Sequence, residues 1–206
     1  MNIFFDLDGT LIDAKERLYQ LFQHLVPESK LSFEEYWDLK KSKISHKEIL
    51  ESKFSFSNEE IALFEKKWLD AIELPGWLAL DKPFDGVTEY LKELKKNYTL
   101  YLITARQSES RALQQVAQFG WDGIFEKVLV TTQKSEKYDA IKNSVVTKEE
   151  DWIIGDTGKE VETGKKLNIR TAAVLSGFRN KKVLESYHPD LIVNKVTDIS
   201  AEHYGK

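Results

Sequence analysis

The chain has 206 residues, of which 41% are hydrophobic and 31% are charged, and its formal net charge is −4. This length suits one large domain or one domain with a modest insertion, and no apolar run approaches the length of a membrane span. The acidic balance argues against a dedicated nucleic-acid-binding protein, and the absence of cysteine excludes disulfides, thiolate metal sites and cysteine nucleophiles.

The first predicted element is an apolar strand over residues 2–5, which runs directly into Asp6-Leu7-Asp8-Gly9-Thr10-Leu11. Side chains alternate along a strand, so Asp6 and Asp8 are expected to point to the same side where the strand ends. Gly9 allows a sharp turn that brings backbone N–H groups against a bound anion. Two carboxylates beside such a turn suit metal-assisted chemistry on a phosphorylated substrate, because a cation is needed between the negative groups. An ordinary strand that ends in a turn is the alternative, since Asp, Gly and Thr all favour turns.

Residues 14–74 contain no convincing strand, and they contain three helix starts of the same construction. Each start is a reciprocal capping box, in which a serine is followed three residues later by a glutamate, and apolar residues flank each box as a hydrophobic staple. Another helix is predicted over residues 14–25. The aromatic residues of this region are expected in a core rather than on a ligand. The three boxes are Ser32 with Glu35, Ser45 with Glu48, and Ser57 with Glu60.

Beyond residue 84, predicted helices alternate with short apolar strands. This alternation predicts an α/β protein with a doubly wound, Rossmann-like parallel sheet, which strand 2–5 joins as a nearly continuous apolar run. The helical region is then an insertion. We therefore predict an α/β core domain of residues 1–13 and 82–206 and an all-helical domain of residues 14–81. The predicted helices are 84–97, 107–118, 136–143, 159–167 and 180–186, and the predicted strands are 99–103, 128–131, 152–154, 171–175 and 191–193.

Strand 99–103 ends in Thr104-Ala105-Arg106, which offers a hydroxyl, backbone N–H groups and a guanidinium. Arg106 has two interpretations at this point. Its guanidinium could bind a second anionic group of a substrate, or it could pair with an acidic neighbour such as Glu109.

Strand 152–154 ends in Gly155-Asp156-Thr157-Gly158, with Glu160 in the turn that follows. Each of these groups alone has an ordinary structural explanation as a cap or a turn residue. Because ligands of such sheets lie beyond the carboxyl ends of the strands, however, a parallel sheet would bring Asp156, Thr104 and the first pair of carboxylates to one edge.

Two lysines follow strand 128–131, and either is a candidate for this edge. Lys137 is preferred, because Ser135 as a helix N-cap would place it in the first turn, with Ile141 anchoring the same face. Lys134 would have to reach in from the preceding loop.

These motifs resemble those of the haloacid dehalogenase (HAD) superfamily, and the resemblance covers essentially the whole chain. The Asp-x-Asp-Gly-Thr-Leu opening, the Thr104 strand end, the lysine and Gly155-Asp156-Thr157 each have a counterpart there. Glu160 stands where the family usually has a second aspartate. The helical insertion lies where the family places a C1-type cap, and the whole looks like the phosphoglycolate phosphatase branch.

The resemblance implies a phosphatase that uses Mg²⁺ on a small phosphorylated metabolite. Asp6 would be the nucleophile that forms an aspartyl-phosphate, and Asp8 the general acid and base. Asp6, the backbone carbonyl of Asp8 and Asp156 would hold Mg²⁺, and Glu160 is a candidate for a residue that supports these ligands without binding the metal itself. The remaining implied contacts are Gly9, Thr104, Ala105 and Lys137 (or Lys134) to the phosphate, and Arg106 to the rest of the substrate.

Two other functions stay open from the sequence. A phosphomutase of the same superfamily would use the same two carboxylates, and a non-catalytic phosphate-binding module would use the same fold. No nucleic-acid or membrane partner is expected. Because Asp6 and Asp8 interrupt the apolar start of the chain, no signal peptide is predicted, and we expect a cytoplasmic protein.

Overall fold

The computed structural model describes residues 1–132 and 134–205, and its centre is a six-stranded sheet of strand order β5-β4-β1-β6-β7-β8. Every pair of neighbouring strands in this sheet is parallel, which confirms the predicted α/β fold. Strand β1 lies between β4 and β6, with Phe4 in register with Tyr101 and Ile153. The strands are β1 (Asn2–Phe5), β4 (Thr99–Thr104), β5 (Lys127–Val130), β6 (Trp152–Gly155), β7 (Arg170–Val174) and β8 (Leu191–Val193).

Helices cover both faces of the sheet, so successive residues of β1 enter different cores. Ile3 and Phe5 belong to one hydrophobic cluster, with Leu91 of α6 and Val116 of α7. Phe4 belongs to the cluster on the opposite face. Burial on both faces explains why this strand reads as an unbroken apolar run. The helices of this part are α6 (Val87–Leu94), α7 (Glu109–Gln118), α8 (Lys137–Lys142), α9 (Gly158–Leu167), α10 (Lys181–Glu185) and α11 (Ala201–Tyr204).

The helical insertion folds around an aromatic core. Its helices α2, α3 and α4 each begin at a complete capping box, as predicted. Phe22 of α1 is fully buried at the centre, with its ring 5.0 Å from that of Tyr36 and 5.9 Å from that of Phe64. The aromatic residues therefore form a core, in agreement with the sequence analysis. The helices are α1 (Lys15–Leu25), α2 (Phe33–Lys41), α3 (His46–Phe54), α4 (Asn58–Ala71) and α5 (Pro75–Leu78).

A two-stranded antiparallel ribbon joins the two ends of the insertion. Strand β2 (Ile12–Asp13) enters it and pairs with β3 (Lys82–Pro83), which leaves it. Neither strand was predicted, because each is two residues long and their pairing depends on segments far apart in sequence. Within residues 1–132 and 134–205, every helix is too short or too polar to cross a membrane.

Two local predictions were wrong. Helix α8 begins after Glu136, and Ser135 is not its N-cap, because the Ser135 hydroxyl donates instead to the carbonyl of Thr131 at 3.4 Å. The helix predicted over residues 84–97 spans only Val87–Leu94, because Gly86 precedes it with a φ of 78° and breaks the helical conformation. Lys137 nevertheless lies in the first turn of α8, where the sequence analysis placed it.

Candidate active site

The carboxyl ends of β1, β4 and β6 open into a cavity of about 230 Å³. The α/β part of the chain contributes most of the cavity wall, and the helical insertion contributes Arg17, Leu18, Ile72 and Glu73. The sheet edge therefore collects groups from distant parts of the chain, as the parallel topology predicts. The predicted site residues that line the cavity are Asp6, Asp8, Thr104, Ala105, Arg106, Lys137, Asp156 and Glu160.

Lys137 lies between two carboxylates. Its Nζ donates a hydrogen bond to Asp6 Oδ1 and another to Glu160 Oε1, the latter at 2.6 Å, and the residue is 6% exposed. Although burial lowers the pKa of Lys137, the charges of Asp6 and Glu160 outweigh it and raise the pKa. Lys134, in contrast, is exposed and does not line this cavity.

Glu160 both caps a helix and orients the lysine. Its Oε2 accepts a hydrogen bond from the Thr157 hydroxyl at 2.6 Å and another from the Thr157 N–H at 3.2 Å, which completes a capping box at the start of α9. Its Oε1 accepts the bond from Lys137. The glutamate at this position therefore reaches the lysine while it stabilises its own helix.

Asp6 is buried among charged groups at the end of β1. Burial raises the pKa of Asp6 to about 7, with Lys137 acting in the opposite direction and Glu160 adding to the rise. The Thr10 hydroxyl donates to Asp6 Oδ2 at 3.4 Å. One lysine therefore faces several carboxylates, and this part of the cavity carries an excess of negative charge.

Asp156 has one carboxylate oxygen without a hydrogen-bond partner. Its Oδ2 accepts the N–H of Phe178 at 2.7 Å, but no group among the described residues donates to the buried Oδ1. Burial and the neighbouring carboxylates raise the pKa of Asp156 well above its usual value. A cation would satisfy this oxygen and relieve the crowding of charge.

The donor set at this edge fits a hard cation such as Mg²⁺. Such cations prefer carboxylate and carbonyl oxygens, and Asp6 and Asp156 supply carboxylates to the cavity that Asp8 also lines. Among the described residues, no group of three His, Cys, Asp or Glu side chains converges on one point. A site here would therefore combine two carboxylates with a backbone oxygen.

Two glycines make room for the Asp156 carboxylate. A Cβ at Gly9 would come within 2.5 Å of Asp156 Oδ2, and a Cβ at Gly177 would come within 2.1 Å of the same atom. Sequence analysis missed Gly177 and the Phe178 N–H. The signal that could have found them is their position, because they follow β7, another strand of the same parallel sheet.

The structure corrects the expected role of Gly9. Its N–H donates to the carbonyl of Ile12 at 2.8 Å, so the turn itself uses this group, and it is not available to a phosphate. The free backbone donors lie at neighbouring positions. In residues 1–132 and 134–205 we find no acceptor for the N–H groups of Leu7, Asp8 and Ala105.

Arg106 pairs with an acidic residue, as one of its two sequence interpretations expected, but that residue is Asp8 and not Glu109. Its Nε and Nη2 donate to the two oxygens of Asp8 at 2.6 and 2.7 Å, and it makes no ion pair with Glu109. The residue is 4% exposed, and a buried guanidinium requires an anionic partner. In this structure that partner is Asp8.

A second arginine, Arg17 of α1, was missed by the sequence analysis. Its Nη2 donates to Asp8 Oδ1, and its Nε donates to Asp81 Oδ1 at 2.8 Å. Although burial raises the pKa of Asp8, Arg106 and Arg17 outweigh it and hold the pKa below its usual value. The available signal was a charged residue four positions before Leu21, on the buried face of an amphipathic helix.

Fold and site together define a Rossmann-like α/β protein with a polar, charged site at the carboxyl edge of its parallel sheet. The chain belongs to the haloacid dehalogenase-like hydrolase family, whose family model matches residues 3–174.

Named relatives agree with this assignment, and solved structures share the fold. The chain is 25% identical to pyrophosphatase PpaX of Halalkalibacterium halodurans, over 96% of this chain and 94% of that protein. It is 26% identical to the phosphoglycolate phosphatase of Aquifex aeolicus, over 96% and 93% of the two chains. Its fold is similar to that of a phosphatase structure from Clostridium difficile, with a TM-score of 0.78, 20% identity, and coverage of 98% and 97%. A haloacid dehalogenase-like hydrolase from Streptococcus pneumoniae gives a TM-score of 0.75 at 23% identity, with coverage of 94% and 93%.

Proposed function

We propose that the protein is a Mg²⁺-dependent phosphatase that hydrolyses a small phosphorylated metabolite through an aspartyl-phosphate on Asp6. The observation that carries this proposal is the placement of Asp6, which lies at the end of β1 with Lys137 on one oxygen and lines the same cavity as Asp156. A carboxylate, a cationic group and a cation site are the parts that phosphoryl transfer needs. The named activities of the relatives, a pyrophosphatase and a phosphoglycolate phosphatase, support the same chemistry.

The proposed reaction has two displacements at phosphorus. In the first, an Asp6 oxygen attacks the phosphoryl group and the bond to the substrate oxygen breaks, while Asp8 gives that oxygen a proton, which Asp8 takes up from water once its carboxylate has turned away from Arg17 and Arg106. In the second, Asp8 takes a proton from water, the water oxygen attacks phosphorus, and the bond to Asp6 breaks. Inorganic phosphate leaves and both aspartates return to their starting state.

Several hydrogen-bond donors would stabilise the negative charge on the phosphoryl group during its transfer. Lys137 Nζ and the free N–H groups of Leu7, Asp8 and Ala105 would donate to the phosphoryl oxygens, with the Thr104 hydroxyl beside them. Asp6, the carbonyl of Asp8 and Asp156 would hold Mg²⁺, which neutralises negative charge on the phosphoryl group when bound. Glu160 would act through Lys137, which it orients.

We also propose that residues 14–81 form a cap domain over a core of residues 1–13 and 82–206. Contacts between the insertion and the rest of the chain support this division into two domains. Glu73 of the insertion accepts the N–H groups of Gln107 and Ser108, at 2.6 and 2.9 Å, where α7 begins. Leu18 and Ile72 add an apolar wall to the cavity. The cap would therefore limit the size of the substrate and exclude water from the reaction.

The test is a panel of small phosphorylated metabolites assayed for phosphate release with Mg²⁺, after the protein has been stripped with EDTA. We expect release from at least one of them, which disappears in EDTA and returns with Mg²⁺. Full activity of the stripped protein would contradict the metal assignment. A rearranged phosphorylated product without free phosphate would instead indicate a phosphomutase.

Gly177→Ala is expected to lower activity strongly without unfolding the protein. The new Cβ would lie 2.1 Å from Asp156 Oδ2, so the carboxylate must move. A misplacement of about 1 Å at a reacting centre can cost on the order of 10²-fold in rate. The measurement is kcat together with the Mg²⁺ concentration at half-maximal activity, which should rise.

Gly76→Ala is the matched control, because a Cβ at Gly76 meets nothing within 4 Å. It is expected to behave as the unsubstituted protein. Equal kcat and equal Mg²⁺ dependence in the Gly177 and Gly76 variants would show that Asp156 does not need its observed position.

A further inference from the structure

Two buried arginines hold the carboxylate that the proposed reaction needs as its acid and base. Asp8 Oδ1 accepts from both Arg17 and Arg106, and Asp8 Oδ2 accepts from Arg106 at 2.6 Å. Both oxygens are therefore occupied by guanidinium donors. In this arrangement Asp8 is held on the arginines rather than on a leaving oxygen.

The arginines do not depend on Asp8 alone for their positions, because each of them also donates a hydrogen bond to Asp81. Arg17 Nε donates to Asp81 Oδ1 at 2.8 Å, and Arg106 Nη2 donates to Asp81 Oδ2 at 3.2 Å. The Asp81 side chain is fully buried, and Gln115 Nε2 donates to it at 2.9 Å. The arginine pair would therefore stay in place if the Asp8 carboxylate turned away.

The arginine pair also has an unused hydrogen-bond donor and is accessible from the cavity. Arg106 Nη1 is buried and has no acceptor among the described residues. Arg17 and Arg106 both line the cavity that contains Asp6. Their two positive charges are balanced by Asp8 and Asp81, so another anion could replace Asp8 with the local charge unchanged if the displaced Asp8 carboxyl takes up a proton. Guanidinium groups match the planar geometry of a carboxylate and also bind phosphate well.

We infer that Arg17 and Arg106 bind a second anionic group of the substrate, and that Asp8 occupies their site until the substrate displaces it toward the leaving oxygen. This inference rests on the proposed phosphatase function and narrows its substrates. The leaving group would carry a carboxylate or a phosphate close to the scissile bond, since the cavity is only about 230 Å³. Specificity and catalysis are coupled here, because only a substrate with the second anion frees Asp8.

The first test compares kcat/KM for three probes: 2-phosphoglycolate, pyrophosphate and ethyl phosphate, which lacks a second anion. We expect kcat/KM for at least one of the two anionic probes to exceed that for ethyl phosphate by about tenfold or more. A hydrogen bond to a charged group contributes a free energy of this size. Which of the two is preferred distinguishes a carboxylate from a phosphate. Arg17→Lys keeps the charge but loses the planar fork, and it should reduce the preference to near unity.

Lys159→Met is the matched control for charge. Lys159 lines the same cavity, but it is exposed and makes no hydrogen bond to Asp8. Its removal should leave the preference between probes within about twofold, as exposed charges contribute little. A loss of preference as large as in Arg17→Lys would mean that general positive charge, and not the arginine pair, selects the substrate.

The second test uses the unsubstituted protein. Formate should raise the rate of ethyl phosphate hydrolysis to a plateau, because it can occupy the arginines and release Asp8, and it should inhibit the preferred anionic probe. Binding of the probes to Asp6→Asn by calorimetry separates this inference from the proposed function. Absence of all turnover would defeat the phosphatase proposal, whereas equal affinities of the probes for Asp6→Asn would overturn the arginine site. Equal kcat/KM values with no effect of formate would overturn it as well.

Discussion

Asp6→Asn is expected to abolish phosphate release, with a loss on the order of 10⁴-fold or more, the scale on which removal of a nucleophile acts. The amide cannot attack phosphorus to form the acyl phosphate, and no other carboxylate occupies its position at the end of β1. Phosphate release under single-turnover conditions with excess enzyme measures the loss directly. Asp8, the other carboxylate of the motif, is held by Arg17 and Arg106 and is not placed to substitute for Asp6.

The same variant is expected to remain folded, which makes the loss interpretable. Burial raises the pKa of Asp6 from 3.8 to about 7. An acid whose pKa is higher in the folded state favours folding when protonated, so its ionised form opposes folding at higher pH. Asparagine removes that buried charge, and Lys137 keeps Glu160 as its ionic partner, so no uncompensated charge is left behind. The variant should therefore unfold at the same or a higher temperature above pH 7, and retained Mg²⁺-dependent turnover in it would remove Asp6 from the nucleophile role.

Lys137→Ala is expected to lower kcat by about 10²- to 10³-fold, the cost of removing one donor to the transferring charge. It should also destabilise the protein by about 3–5 kcal/mol, because breaking a buried ion pair leaves uncompensated charge. Here the charges left behind are Asp6 and Glu160, which both bind Lys137 Nζ. Activity must therefore be measured at a temperature where circular dichroism shows the variant to be folded.

Lys134→Ala is the control from the same loop and helix start. Lys134 is exposed and does not line the cavity, so its loss should leave kcat and the melting temperature unchanged. Addition of Mg²⁺ should recover part of the stability of Lys137→Ala, since a cation can replace the missing charge. A large activity loss in Lys134→Ala with none in Lys137→Ala would reverse the assignment of the phosphate-binding lysine.

Short sequence motifs predicted those elements whose stabilising contacts form between residues close together in the chain. The three capping boxes formed as the Ser and Glu spacing indicated, because each box is completed within four residues. The parallel sheet followed from the alternation of helices and apolar strands, and the convergence of Asp6, Thr104 and Asp156 followed from the sheet. The residues that converge on this edge of the sheet could thus be named from the sequence.

The arginine network around Asp8 could not be predicted in this way. Its members Arg17, Asp81 and Arg106 come from α1, from the segment before β3, and from the end of β4. No periodicity links these positions, and the pairing exists only because the insertion folds back onto the core. Arg106 was considered as a substrate contact or a partner of Glu109, and the buried alternative with Asp8 was visible only in three dimensions.

The identity of the phosphorylated residue is the most direct test of Asp6 as the nucleophile. Enzyme and a hydrolysable substrate are mixed with Mg²⁺, quenched in acid within one turnover, and treated with borohydride, which reduces an acyl phosphate to an alcohol. Mass spectrometry of the N-terminal peptide should then find homoserine at position 6 in the unsubstituted protein and not in Asp6→Asn. Turnover without modification at residue 6 at any quench time, or modification at residue 8 instead, would contradict the assignment of Asp6 as the group that accepts the phosphoryl group.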